Sequence, residues 1–260
     1  MEVIIMPNRE AATTLTARLI ADRVKTKPAS VLGLATGSTM EEVYGKLASM
    51  DLDFSYCTTF HLDEYIGLEP TDKNSHRHYM NEHFFKKINI QLNNTYFPNG
   101  MAKNMKEECD KYERLMIDCG GLDMQILGLG KTGHIGFNEP LSSLFSRTRE
   151  KTLTQTTIAQ VSPFFDKLQN MPKRVLTMGV GTILEARKVI MLATGRNKSE
   201  ILAKAVEGPI TSMISATALQ LHPSCTVIVD EDAASLLTEK EYYRWIFQNE
   251  PQWEPYRESI

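Results

Sequence analysis

Short apolar runs alternate along the chain with segments whose apolar residues recur at helical spacing. The runs predict buried strands at Glu2–Met6, Ser30–Ala35, Tyr56–Leu62, Met124–Leu129, Lys173–Gly179, Lys188–Thr194 and Cys225–Asp230. Helices are predicted after Asn8, after the Thr36–Thr39 turn through Leu47, at Lys103–Cys119 and at Ser199–Val206. Because the strands are apolar throughout and alternate with helices, the pattern predicts an α/β protein with one doubly wound, mostly parallel sheet and helices on both faces.

Size and charge narrow the possible classes of protein. A chain of 260 residues can bury a full core in one large or two small domains, and without a linker or repeat we expect one domain over residues 1–260. The formal net charge of -3 argues against nucleic acid or an anionic membrane as the main partner. No run is apolar enough for a signal peptide or a membrane span, so we expect a soluble, cytoplasmic protein with reduced cysteines.

The stretch Met124–Pro140 combines a predicted strand with a glycine-rich turn, one histidine and one carboxylate. Its glycines satisfy the spacing G-x-G-x-x-G, but Pro140 follows too soon for the long helix that a dinucleotide site needs. His134 and Glu139 therefore lie on an irregular segment, and by spacing alone a histidine hydrogen-bonded inside a turn is the better interpretation.

Two further turns follow predicted strands and have the composition of anion sites. The turn Thr36-Gly37-Ser38-Thr39 precedes a helix, so its N–H groups and hydroxyls can bind a phosphate. Lys198 follows another strand and begins a helix, where its ammonium could meet the same anion; it could equally be a surface lysine.

Asp63 and Glu64 come directly after the strand predicted at Tyr56–Leu62. Ligands of open α/β sheets bind beyond the carboxyl ends of strands, and neighbouring residues on an extended chain point opposite ways. We therefore expect one of these carboxylates in a crevice and the other in a structural role. The nearby His76, His78 and His83 show no metal-ligand spacing, which predicts solvated or capping positions and no metal site.

Several blocks together resemble the glucosamine-6-phosphate deaminase family. They are Leu34–Thr39, Leu62–Leu68, Gly133–Pro140, Leu176–Gly179 and Ala205–Gly208, and the resemblance covers nearly the whole chain in the same order. The block GHIGFNEP is its most specific part. The resemblance implies a Rossmann-like α/β fold, no cofactor, and conversion of glucosamine 6-phosphate and water into fructose 6-phosphate and ammonium. Monomer and homo-oligomer both stay open, because the family contains both.

The resemblance also implies roles for individual residues. Asp63 matches the base that moves a proton between C2 and C1, His134 matches the group that assists ring opening, and Glu139 matches the carboxylate that orients this histidine. The Thr36–Thr39 turn and Lys198 match the family's phosphate site.

Two departures from the family keep alternatives open. Thr132 stands where members usually have Asp or Asn, and Pro163 stands where well-studied members have a phosphate-binding arginine. A deaminase specific for galactosamine 6-phosphate needs the same proton-transfer residues, and a sugar-phosphate sensor without turnover also stays possible. A 6-phosphogluconolactonase is disfavoured, because lactone hydrolysis needs no base at C2.

Overall fold

The computed structural model describes residues 1–165 and 171–257. The strands in these residues are β1 Glu2–Met6, β2 Val31–Leu34, β3 Thr58–His61, β4 Asp63–Tyr65, β5 Thr95–Tyr96, β6 Met124–Gly128, β7 Arg149–Thr152, β8 Arg174–Thr177, β9 Val189–Ala193 and β10 Cys225–Asp230. The α-helices are α1 Arg9–Thr26, α2 Ser38–Ser49, α3 His76–His83, α4 Met105–Asp118, α5 Gln155–Val161, α6 Val180–Leu184, α7 Ser199–Val206, α8 Lys240–Asn249 and α9 Glu254–Arg257.

Seven of the strands form one parallel sheet in the order β1-β10-β9-β6-β2-β3-β5. All residues of β2, β9 and β10 are buried, as expected for parallel strands covered on both faces. The chain leaves β2 toward β3 on one side, and later returns to β6 on the other side of β2. The order of the strands therefore reverses between β2 and β6, which is where α/β folds bind ligands. The predicted fold class is confirmed.

A second sheet of three antiparallel strands, in the order β4-β8-β7, stands beside the main sheet. The sequence placed Lys173–Gly179 in the main sheet, but β8 pairs here with β4, and Asp63 lies opposite Thr177. The strand predicted at Tyr56–Leu62 is shorter in the structure, since β3 covers Thr58–His61, and Asp63 begins β4 in the other sheet. A small core beneath this sheet consists of Tyr65, Phe137, Leu153, Phe165, Met171 and Val175.

The end of the described chain packs on the body of the molecule. Helix α8 contacts β1, and the Trp253 side chain is buried. The Arg18 guanidinium lies 4.8 Å from the centre of the Tyr256 ring. In the described residues no helix is both long and apolar enough to span a membrane.

Candidate active site

A cavity of about 650 Å³ lies at the carboxyl ends of the central strands. Its wall includes the turn that follows β2, the turn that follows β6, and side chains of α3 and α5. The predicted residues Thr36, Gly37, Ser38, Thr39, Asp63, His134 and Lys198 all line it. Residues that are distant in the sequence thus meet at the point where the strand order reverses.

The Thr36–Thr39 turn ends at the first residues of α2. Gly37 caps this helix with a φ of 127°, a conformation in which glycine is favoured. The Tyr79 hydroxyl donates a hydrogen bond of 2.9 Å to the Gly37 carbonyl and ties the turn to α3. A helix N-terminus concentrates N–H donors, so the turn is suited to bind an anion.

Lys198 lies in the short helical turn after β9. Its Nζ donates a hydrogen bond of 2.7 Å to the Leu129 carbonyl at the end of β6. Burial and the nearby charge of Lys131 lower the pKa of Lys198. A cation held in a fixed, poorly solvated position is well prepared to receive an anionic ligand.

Pro163, which the resemblance matches to a phosphate-binding arginine of the family, is exposed in the turn Ser162–Phe164. Among the described residues that line the cavity there is no arginine, and Lys73 joins Lys198 as a second lysine. The sequence had identified Lys198 alone. Lys73 escaped notice because it lies in a polar loop with no recognisable spacing to the other site residues.

Asp63 and Glu64 have the separate roles that strand geometry predicts. Asp63 is buried and lines the cavity. Glu64 points away from it and accepts hydrogen bonds of 3.0 Å from the backbone N–H groups of His76 and Arg77. Glu64 thus binds the N-terminal donors of α3, which is a structural function.

The solvated or capping position expected for His76 is wrong. The side chain is buried, and its Nδ1 lies 2.8 Å from Asp63 Oδ1. Ser75 caps α3 instead, by accepting the His78 N–H. The contact joins β4 to α3 through tertiary structure, so no local spacing in the sequence could reveal it.

His134, Thr132 and Glu139 form one hydrogen-bonded group. The Thr132 hydroxyl lies 2.7 Å from His134 Nδ1 and donates to Glu139 Oε2 at 3.4 Å, while His134 Nδ1 lies 3.5 Å from the same oxygen. The network fits an Nδ1–H that donates to the hydroxyl, which leaves Nε2 able to exchange a proton with a ligand. His134 lines the cavity and Glu139 lies behind it.

The Glu139 carboxylate is held by the protein on both oxygens. Thr154 donates to Oε1 from its backbone N–H at 3.3 Å and from its hydroxyl at 3.2 Å. Burial raises the pKa of Glu139, but hydrogen bonds with His134 and Thr157 outweigh it and lower the pKa to about 2. Glu139 therefore supplies a fixed negative charge behind the imidazole.

Gly130, four residues before His134, leaves room for the imidazole. A Cβ at Gly130 would overlap the His134 ring. The segment after it forms turns and contains no helix, as Pro140 led us to expect. Gly130 thus serves close packing of a histidine, whereas a Cβ at Gly133 would meet Ile201 and Ile214.

His61 adds a third polar group near Asp63. Potential ligand atoms of His61, Asp63 and His76 lie within 4.8 Å of one another, a spacing that a metal ion could use. However, His76 Nδ1 and Asp63 Oδ1 are at hydrogen-bond distance, so we interpret this pair as an ion pair. The absence of a metal and of a cofactor stays a prediction.

The site therefore joins a turn suited to bind an anion and a half-buried lysine to a carboxylate and an imidazole that are candidates for proton transfer. Together with the fold, this arrangement is typical of α/β proteins that bind small phosphorylated molecules at the reversal of the strand order. Comparison with known proteins identifies the family. Residues 8–228 match the family described as glucosamine-6-phosphate isomerases/6-phosphogluconolactonase, and the chain belongs to it.

Two similar relatives have the same name, and each is matched over almost its full length. The chain is 48% identical to glucosamine-6-phosphate deaminase of Hahella chejuensis, with 95% of each chain covered. It is 44% identical to the protein of that name from Thermoanaerobacter pseudethanolicus, covering 93% of this chain and 97% of the relative.

Solved structures show the same relationship. A monomeric glucosamine-6-phosphate deaminase superposes with a TM-score of 0.89 at 42% identity, covering 91% of this chain and all of the other. The 6-phosphogluconolactonase of Trypanosoma brucei reaches a TM-score of 0.73 at 17% identity, covering 91% and 98% of the two chains. The second similarity shows the fold alone.

Proposed function

We propose that this protein converts glucosamine 6-phosphate and water into fructose 6-phosphate and ammonium. The observation that carries the proposal is that Asp63, His134, Lys198 and the Thr36–Thr39 turn line one cavity of about 650 Å³. This volume is within the range of small-molecule sites and suits a hexose phosphate. Relatives of the same name at 44–48% identity over nearly the full chain support the assignment.

The substrate phosphate binds the Thr36–Thr39 turn and the Lys198 ammonium. Neither group reacts, so their binding energy fixes the position of the sugar relative to the proton-transfer groups. His134, oriented by Thr132 and Glu139, moves a proton to or from the ring oxygen and opens the ring. The open chain presents its C2 hydrogen beside an aldehyde, which makes that hydrogen acidic.

Asp63 removes the C2 proton and returns it to C1. The first transfer forms an enolamine, and the second leaves an iminium group at C2. Water adds to this carbon, and ammonium departs to give the ketose. One buried carboxylate can serve both transfers, because C1 and C2 are adjacent and the cleft limits exchange with solvent.

The test measures ammonium and ketose-phosphate release from glucosamine 6-phosphate, with galactosamine 6-phosphate in parallel. We expect release from the first sugar and its loss in Asp63→Asn, which keeps the size of the side chain but cannot accept the proton. Release from the galactosamine epimer alone would move the substrate and keep the mechanism. Binding of both sugars without any release would overturn the proposal in favour of a sensor.

We also propose a cytoplasmic, small-molecule metabolic role for this chain. A net charge of -3 argues against nucleic acid as the main partner. The similar solved deaminase is described as monomeric, and sedimentation of this protein in solution would establish whether it shares that state or forms a homo-oligomer.

A further inference from the structure

Two neighbouring carboxylates are buried beside the cavity, and one imidazole stands between them. Asp63 and Glu64 are each about 5% exposed or less. The Arg77 guanidinium donates to the Thr95 carbonyl and hydroxyl at 2.8 and 2.7 Å. Among the described residues, His76 is the positive partner of Asp63, with Nδ1 2.8 Å from Oδ1.

The contact engages only one of the two oxygens of Asp63. His76 Nδ1 lies 2.8 Å from Oδ1 and 3.1 Å from the Asp63 carbonyl oxygen, while Oδ2 lies on the side of Gly136, 3.6 Å from where a Cβ on that glycine would be. Asp63 and Gly136 both line the cavity, so Oδ2 lies at its wall. Oδ2 is thus the oxygen placed to exchange a proton with a bound sugar.

The imidazole is held in place by its surroundings. Its ring lies parallel to Phe137, with centroids 6.1 Å apart at 11°, and meets Tyr65 edge-on at 4.9 Å. Its backbone N–H donates to Glu64. These contacts come from β4, α3 and the segment after β6, so the ring cannot turn away from Asp63 without disturbing all three.

The charges around His76 favour its protonated form. Burial alone lowers the pKa of His76, but the hydrogen bond and charge of Asp63, with the charge of Glu64, raise it to about 9. His61, which meets His76 edge-on at 5.3 Å, has its pKa lowered to about 4 by burial and by the charge of His76. Near neutral pH one of the two histidines carries a charge.

We propose that His76 is a positioning residue for proton transfer: its imidazolium pairs with Oδ1 of Asp63 and directs Oδ2 toward the substrate. The inference rests on the proposed function, because it gives Asp63 the role of base. Without the imidazolium, the buried Asp63 carboxylate would lose the positive partner that stands 2.8 Å from it. An opposite charge at that distance favours the ionised form of a carboxyl group, which is the form that can accept a proton.

The test compares His76→Asn with His76→Phe and with the control His78→Asn, a partly exposed position on the same helix. An asparagine keeps a donor near the position of Nδ1 but loses the charge. We expect the acidic limb of its kcat/KM profile to move up by roughly one pH unit, with KM at high pH unchanged. His76→Phe also loses the donor, and we expect kcat to fall by about tenfold or more at every pH. His78→Asn should follow the wild type.

A second readout does not depend on turnover. In an NMR titration of the wild type, the His76 ring should stay protonated well above neutrality, and in Asp63→Asn its titration should move to lower pH. A His76 that titrates like an exposed histidine, with superimposable pH profiles for wild type and His76→Asn, would overturn the inference.

All samples are measured with a chelator; if chelation abolished activity and Zn²⁺ restored it, the pair would be a metal site and the inference would be wrong. A wild type that releases no ammonium would instead refute the proposed function, while the titration still decides whether the ion pair exists.

Discussion

Thr132 stands where the family resemblance predicts an acidic or amide side chain, and it offers a hydroxyl instead. A hydroxyl accepts one hydrogen bond while donating another, so Thr132 can link the His134 Nδ1–H to Glu139 Oε2. Within the described part of the chain, Glu139 then supplies the negative charge behind the imidazole. We therefore expect orientation of His134 to depend on Glu139 more strongly than if a second acid were present.

Replacing Glu139 with glutamine tests this dependence. The free energy of unfolding should fall by about 1–3 kcal/mol at pH 7, since a hydrogen-bonded charge is lost from a buried place. The pKa of Glu139 is lowered by folding, so its stabilising effect is complete above the ordinary value for glutamate, near 4.5, and is lost as the pH falls from there toward 2. The difference between wild type and Glu139→Gln in urea denaturation should therefore shrink between pH 6 and pH 3.5.

Glu69→Gln is the matched control, because Glu69 is exposed in a loop. It should leave stability unchanged at both pH values. A Glu139→Gln variant whose deficit is the same at pH 6 and pH 3.5 would show that the carboxylate charge contributes nothing to the fold. The same variant should lose kcat with little change in KM, because Glu139 acts through His134 and lies away from the phosphate end.

The sequence could identify site residues that follow strands but could not identify those that reach the site from the side. Asp63, His134 and Lys198 each come shortly after a strand, and parallel strands bring such residues to one edge. His76 reaches Asp63 only because α3 folds against β4, and nothing in the local pattern of residues near His76 encodes that contact. Lys73 likewise reaches the cavity from a loop, and nothing in the local pattern of residues near it predicts that position.

At the scale of elements, the contact between β2 and β6 sets the two halves of the cleft side by side. Gly33 pairs with Gln125 across these strands, and a Cβ on Gly33 would overlap the Gln125 amide. The buried amide fills the space above the glycine and donates from Nε2 to the Ile126 carbonyl at 2.9 Å. A glycine in the middle of a central strand is thus explained by its neighbour's side chain.

Gly33→Ala should therefore lower the free energy of unfolding by about 1–3 kcal/mol, as overpacking does in a close-packed core. Adding Gln125→Ala removes the overlapping amide and should restore part of that loss. The measurement is a double-mutant cycle in urea, with Gln125→Ala alone as the reference. Strictly additive effects would contradict the packing explanation. Because β2 leads into the Thr36–Thr39 turn, Gly33→Ala should also raise KM, and the double variant should lower it again.

Six of the seven strands of the main sheet were predictable, because they are apolar runs between turns, whereas β5 is two residues long and was not predicted. Glu2–Met6 and Cys225–Asp230 have the predicted bounds, and the bounds of β2, β6 and β9 differ from the prediction by one residue at one or both ends. In the second sheet only β8 was predicted as a strand, and it was placed in the main sheet. Its strands are three or four residues long, and β7 alternates between half-buried and exposed residues, so no apolar run marks it. Its pairing depends on segments that are far apart in the chain.

On the scale of the whole molecule, the cleft lies between the main sheet and the small sheet. The Thr36–Thr39 turn and Lys198 each follow a strand of the main sheet, whereas Asp63 begins a strand of the small one. Binding of a sugar phosphate therefore links two layers with separate apolar cores. A ligand that contacts only the folded state should stabilise the whole protein in proportion to its affinity.

The rise in Tm on adding the sugar phosphate therefore measures binding, even in a variant that cannot turn the sugar over. In Asp63→Asn, glucosamine 6-phosphate at about a hundred times its Kd should add about 2.7 kcal/mol, which corresponds to a rise in Tm of about 5–10 °C for a chain of this size. Lys198→Ala should show a much smaller rise at the same concentration, because the ammonium that meets the phosphate is gone. Differential scanning calorimetry of each variant, with and without the sugar phosphate, provides the measurement, and glucosamine without its phosphate is the control ligand.

The pattern across these samples decides which part of the site binds the phosphate. If Lys198→Ala kept the full rise in Tm, the phosphate would bind elsewhere, and the Lys73 side of the cavity would be the place to test next. If free glucosamine stabilised Asp63→Asn as much as the phosphorylated sugar does, the Thr36–Thr39 turn would not be an anion site at all. A rise that needs both the phosphate and Lys198 is the result that the geometry predicts, since only a ligand anchored at that end can hold C2 beside Asp63.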